Sequence, residues 1–322
     1  MTRGLSILLC LSVAVASAAA RPAEPSPTAL LAAGRVDEAV RLLRARTAAS
    51  PNDAEAFHLL ARAYYEEERW DDAIHACDRA LALQPGNSNF HMWAGRAYGL
   101  KAEHSNFFTA ARMVGKIRRE FERAVELDGS NAEARSNLAE FYIEAPGFMG
   151  GSPDKARMQA EKIAPLNAPL SMWVLARLAE KNDSPEEAER YFRAAIEASH
   201  GSAGPWIDLA SFFRRVKRYD QAETAIQQAL AAEHKRSVDL YDAASILARA
   251  GRNFNLAVQL LHQYMDSADP SEDAPIPQAH YLLGTILEKQ GDPKGAAAEY
   301  QAAIALAADY RDPKEALKRL QR

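Results

Sequence analysis

The chain reads as an all-α solenoid of about seven stacked antiparallel helix hairpins, and three observations predict it. First, Ala54–Pro85 carries two amphipathic stripes, Phe57, Leu60, Ala61 and Tyr64 followed by Ala73, Ala80 and Leu81, before Pro85 closes the unit as a helix stop. Second, the small residue at the centre of the first stripe returns as Ala61, Gly95, Ala139, Ala176, Ala210, Ala244 and Gly284, and the steps 61 to 95, 176 to 210 and 210 to 244 are each 34 residues. Third, second-helix markers recur in step with it: Phe121 and Ala124, Ala188 and Ala195, Ala222 and Ala229, Ala257 and Leu261, Ala296 and Ala303.

Composition agrees with a packed chain. Of 322 residues 48% are hydrophobic and 25% charged, which excludes a disordered or collagen-like chain, and the net charge of −4 contains no long block of one sign that would ask for nucleic acid.

Residues 1–20 read as a signal peptide. Arg3 gives a short positive start, Leu5 to Val15 is an apolar run too short to span a bilayer, and Ala16-Ser17-Ala18 or Ala18-Ala19-Ala20 offers small residues at a cleavage site. Export, to a periplasm, is therefore expected, with no transmembrane segment after cleavage. Cys77 is then the one cysteine of the mature chain, so no internal disulfide forms, and its place on a second helix marks it as a small core residue.

Residues 21–322 are expected to form one solenoid: a leader and partial first unit over 21–53, repeats over 54–308 and a capping helix over 309–322. Pro22, Pro25 and Pro27 make Arg21 to Thr28 an extended leader. Leu30, Leu31, Gly34, Val36, Ala39, Val40, Leu42 and Leu43 then give the end of one helix and the whole of the next.

The Ala54–Pro85 pattern, a large residue, Leu-Ala, Tyr, Ala, Ala and Pro, resembles the tetratricopeptide repeat, which has a period of about 34. That resemblance implies a right-handed superhelix acting as a non-catalytic binding scaffold. The step from Gly95 to Ala139 is longer, at 44, so about ten residues are added to the second unit. Phe107, Ala111, Val114, Ile117, Phe121 and Ala124 keep helical spacing, Ser105 or Asn106 can cap the start, and the hairpin should project. Its outer stripe Arg112, Lys116, Arg119 and Arg123 is basic, but Glu120, Glu122 and Glu126 lie at pairing distance, so a solvated, salt-paired face is expected rather than a docking strip.

Glu144 to Pro153 is a lengthened turn, with Gly147, Gly150 and Gly151 for unusual backbone angles and Pro146 and Pro153 for stiffness. Phe148 and Met149 at its centre either fold back onto neighbouring helices, the expected outcome, or meet a ligand. GRAYGLKAE at 95–103, FERAVELD at 121–128 and LAEFYIEAPGFMGGSPDKA at 138–156 look like a subfamily of exported bacterial repeat proteins with this long second unit and APGxMGG loop. The resemblance implies the fold and an envelope setting, and no activity. Asp266 to Pro277 reads as a surface loop, and Asp312 to Leu320 as the capping helix.

No motif for catalysis, cofactor or metal is found. There is no HExxH, CxxC, GxSxG or Gly-Lys-Ser/Thr, so no enzyme is expected, and His58 and His91, on adjacent first helices, lack a third ligand. What remains is the groove that stacked hairpins form, lined by their first helices. The repeat register puts His58, Met92, Ser136, Trp173, Ile207, Tyr241 and Tyr281 in one row and Arg62, Arg96, Glu140, Arg177, Ser211, Ser245 and Thr285 in the next. Aromatic area beside guanidinium groups suits a peptide or protein segment. The competing reading is that these arginines only pair with Glu66, Glu140 or Glu180. With His58, Arg62 and Trp93 where chaperone-tail binders use Lys and Asn, a terminal chaperone motif is not expected. Two other functions compete: small-molecule binding beside a periplasmic transporter, in a pocket closed by Phe148 and Met149, and a spacer that oligomerises through the projecting hairpin.

Overall fold

A computed structural model describes residues 25–267, 269–271 and 273–321. The signal peptide expected over 1–20 lies outside the described residues. Within them the fold is a helical solenoid without strands. A short α1 (Pro27–Ala32) leads into α2 (Val36–Ala49), and seven hairpins follow. They pair α3 (Ala54–Glu66) with α4 (Trp70–Leu83), α5 (Ser88–Glu103) with α6 (Phe107–Leu127), and α7 (Ala132–Glu144) with α8 (Pro153–Ile163). Then come α9 (Ala168–Lys181) with α10 (Pro185–Ala198), α11 (Ala203–Arg215) with α12 (Tyr219–Ala231), and α13 (Val238–Ala250) with α14 (Phe254–Met265). The last pair is α15 (Ile276–Lys289) with α16 (Pro293–Leu306), and a single α17 (Arg311–Leu320) follows.

Local chemistry sets the helix starts. Asp53, Asn87, Asn131 and Asn167 each accept a hydrogen bond, at 2.9 to 3.2 Å, from the backbone N–H three residues on, a cap that contributes about 1 kcal/mol. Ser26 does the same for α1 with Pro27 at its first position, so the extended leader ends before Pro27 rather than at Thr28. Of the two caps considered for α6 it is Asn106 that accepts from Thr109 N–H, at 3.0 Å.

Small residues at the centre of each first helix let the hairpins close. A Cβ on Gly95 would lie 2.5 Å from the Phe121 ring, and one on Gly284 would lie 2.5 Å from the Tyr300 ring, so these two units spend the space on a large second-helix aromatic. Cys77 is buried in the same core cluster as Ala61, and burial pushes its thiol up to about 12.

The array comes round on itself. Tyr310, 2% exposed, and Ala307 belong to the same buried cluster as Leu30, Leu31, Leu43 and Leu60. Ala308 N–H donates to Asp37 at 3.0 Å, Arg69 pairs with Asp309 at 2.7 Å, and a Cβ on Gly34 would lie 2.5 Å from Ile276 Cβ. The reading of Asp266 to Pro277 as a surface loop fails only at its end: the described residues up to Asp273 are at least partly exposed, whereas Ala274, Pro275, Ile276 and Pro277 are buried, with Gly34 of the first unit against Ile276 and Pro277.

The second hairpin is extended unevenly. Its α5 has 16 residues and α6 has 21, against 11 to 14 in the other second helices, so the added length falls mainly on α6, whose buried residues begin only at Ile117. The basic stripe is partly paired: Lys116 reaches Asp78 at 3.3 Å and Arg123 reaches Glu126 at 3.1 Å, whereas Glu120 and Glu122 turn to His91 and Arg118. In the Glu144–Pro153 turn, Gly147–Met149 forms one turn of 3-10 helix and Gly150 has φ +105°. A Cβ on Gly151 would strike the Ala145 carbonyl at 1.7 Å. Phe148 does not fold back as expected, for it is 83% exposed.

Candidate functional site

First helices pack on first helices of the next unit, α7 on α9 and α11 on α13, and so face the inside of the array. The expected groove rows are only partly on that surface. His58, Met92 and Ile207 are buried, at 2%, 3% and 6% exposure, and this corrects their assignment as groove lining. The cause is the packing of successive units, which for His58 brings Phe90 of the next first helix onto its ring. His58 shows the result. Its ring stacks on Phe90 with centroids 4.6 Å apart, and burial, with Arg62 nearby, lowers its pKa to about 3, so it is a neutral packing group.

Trp173, Tyr241 and Tyr281 remain half-buried. Tyr241 lies against the Tyr264 ring at 5.7 Å, and Tyr281 sits between Tyr300 and Tyr310 at 5.8 and 5.7 Å. The arginines are held within the chain. Arg62 and Arg96 flank Trp93, at 5.4 and 5.0 Å from its ring centre, a geometry that attracts a cation to the ring face. Arg96 also reaches Glu133 at 3.2 Å and Asp273 at 3.4 Å, and Arg177 pairs with Glu180 at 2.6 Å and Glu144 at 3.0 Å. His91 does not approach His58; it binds Glu120 at 2.7 Å.

Two hollows open on the inner face. One, of about 610 Å³, lies between α5, α6 and α7, lined by Tyr65, Arg96, Gly99, Glu103, Asn137, Glu140 and Phe141 among others. Gly99 is part of the reason for the space, since a Cβ there would meet nothing within 4 Å. Asn137 Nδ2 is buried here without a hydrogen-bond partner among the described residues, and burial raises Glu140 above the usual carboxylate range. The other hollow, of about 590 Å³, holds Trp173, Gly204, Asp208, Arg236 and Asp239 between α9, α11 and the turn before α13.

Asp208 and Asp242 make no hydrogen bond or ion pair among the described residues. Burial, then Asp242, raises Asp208 to about 7; burial, then Asp239, raises Asp242 to about 6. Asn137, Asp208 and Asp242 were missed in the sequence, although each stands two residues before a seam alanine, at 139, 210 and 244. The signal was available in the 34-residue spacing of the two aspartates. No three His, Cys, Asp or Glu side chains among the described residues gather as a metal site. Phe148 and Met149 line neither hollow.

Tetratricopeptide-repeat family models match residues 30–97 and 277–310. No curated protein matches the sequence. Among solved structures, yeast Tom70 aligns with 94% of this chain at 16% identity and TM-score 0.54, this chain spanning 64% of its length. A tetratricopeptide repeat protein of Parabacteroides merdae aligns over 89% of this chain and 93% of its own at 14% identity and TM-score 0.46. A thermophilic one, from Thermus thermophilus, aligns over 62% of this chain and 95% of its own at 22% identity and TM-score 0.47. At these identities the likeness is one of fold, and with the two family matches it makes this chain a helical solenoid that carries tetratricopeptide repeats at residues 30–97 and 277–310.

Proposed function

We propose that the chain is a non-catalytic scaffold of the bacterial envelope that holds a peptide or protein segment against its inner face. Repeats of this kind generally serve as protein-interaction scaffolds. The observation that carries the finer reading is the pair of hollows, each near 600 Å³: Asn137 Nδ2 is buried in one without a hydrogen-bond partner among the described residues, and Asp208, its pKa raised by burial, lines the other. A buried polar group left unpaired costs about 1–3 kcal/mol, and a bound segment with amide and cationic groups removes that cost. Export rests on the sequence of residues 1–20.

The test is in-cell crosslinking followed by affinity capture. Wild type is compared with a variant carrying Asn137→Ala, Trp173→Ala and Asp208→Ala. Loss of the captured partner at unchanged helicity supports the inner face as the binding surface; undiminished capture removes it.

A further inference from the structure

The exposed apolar surface is concentrated away from the inner face. Among the described residues the five exposed large apolar side chains all fall between Phe107 and Leu166, and the most exposed are Phe107 at 64%, Phe108 at 77% and Phe148 at 83%. Leaving three phenyl rings in water is unusual for a surface with no further use. Phe107 and Phe108 start α6 just after the α5–α6 turn, and Phe148 lies in the α7–α8 turn. Both turns join a first helix to a second, so they share one edge of the array, and the Gly147–Met149 turn packs on α6 with the Arg118 guanidinium against Gly150.

The same edge is cationic. Residues 101–119 contain five Lys or Arg and one Glu, in a chain of net charge −4. Arg112 and Arg119 are exposed and form no ion pair among the described residues. They stand four and eleven residues beyond Phe108, on one helical face, so the aromatic tip is backed by guanidinium groups along the same stripe.

We propose that this edge docks on an anionic lipid surface, with Phe107, Phe108 and Phe148 entering the acyl boundary and Arg112 and Arg119 meeting headgroup phosphates. The rings protrude and border neither of the two hollows, which suits a deformable layer better than the shaped pocket of a protein. Contact is peripheral, since no described helix is long and apolar enough to cross a membrane. Basic side chains near an anionic surface add to apolar insertion, and salt screens that part.

The test is flotation of the full chain with phosphatidylcholine vesicles, with and without one-third phosphatidylglycerol. Wild type should float with the anionic vesicles, at least tenfold less with phosphatidylcholine alone, and less in high salt. The F107S/F108S/F148S variant should lose flotation, and R112Q/R119Q should lose the preference for phosphatidylglycerol. Residues 1–24 are the same in every variant, so any change belongs to the edge. Equal flotation of wild type and the triple-serine variant overturns the proposal, as does a wild type that binds neither vesicle. So does self-association through these rings, read as a dimer in sedimentation that F107S/F108S/F148S abolishes while flotation is unchanged.

Discussion

Glu67 offers a test of the closure between the first and last units. Its side chain is 1% exposed, 3.3 Å from Arg69, which itself reaches Asp309 across the closure. Burial, and then the Asp37 carboxyl beside it, raises its pKa from 4.5 to about 7. A raised carboxylate pKa means that the folded chain holds the proton more tightly than the unfolded one. Nothing is lost below pH 4.5; stability falls as pH rises towards 7, and above 7 the full penalty applies. A shift of this size corresponds to about 3 kcal/mol. Glu67→Gln removes the titration, keeps the volume, and supplies an amide N–H for Asp37. The variant should gain less than about 1 kcal/mol at pH 5 and up to about 3 kcal/mol at pH 8.5. Urea unfolding followed by far-UV circular dichroism at both pH values measures this. The other raised carboxylates, Glu68, Glu140, Asp208 and Asp242, are present in both proteins and cancel in the difference. An equal effect at the two pH values, or a loss at pH 8.5, would refute the reasoning.

Three further outcomes are expected. Gly95→Ala puts a Cβ 2.5 Å from Phe121 and should lower stability by about 1–3 kcal/mol in denaturant titration, while Gly99→Ala, one turn away with open space, should be neutral or raise it by up to about 1 kcal/mol. Tyr310→Ala removes a ring that is 2% exposed and should cost about 3–5 kcal/mol; hydrogen exchange should then rise in α1–α3 and α15–α17 together and stay slow in α11–α13. Lys217→Gly relieves a side chain held at φ +61° between α11 and α12 and should raise the unfolding midpoint, by about 0.5–1 kcal/mol in stability.

The repeat units were legible because their signal is local and periodic: Ala176, Ala210 and Ala244 each face their own second helix, and one period explains all three. The closure was not legible, because contacts such as Arg69 with Asp309 and Gly34 with Ile276 join residues about 240 positions apart. Nothing in the spacing of either partner announces the other. The inner surface was half legible. A register projection finds which residues leave the seam, yet the depth at which His58, Met92 and Ile207 lie depends on how closely successive first helices approach. The same projection, moved one residue on, reaches Asp208 and Asp242. Phe148 failed for a different reason: glycines at 150 and 151 shape the turn tightly enough to hold an apolar side chain out in water.

Closure and the inner face bear on the same equilibrium. Glu68, in the α3–α4 turn, lies near enough to Asp312, Tyr241 and Tyr310 for their charges to interact, so opposite walls of the array stand close together inside it. A segment that enters the hollows therefore either fits the closed array or requires it to open. These cases differ in sign. A partner that binds the closed form is favoured by whatever stabilises the closure, so Glu67→Gln should tighten capture at pH 8.5; one that needs the open form should be held more weakly by the same variant. Since Asp208 and Asp242 shed protons over the same pH range as Glu67, a pH profile of wild type alone cannot separate the two, and the comparison with Glu67→Gln at a single pH can. The vesicle-binding edge on α6 lies outside this linkage, so flotation should be the same for wild type and Glu67→Gln.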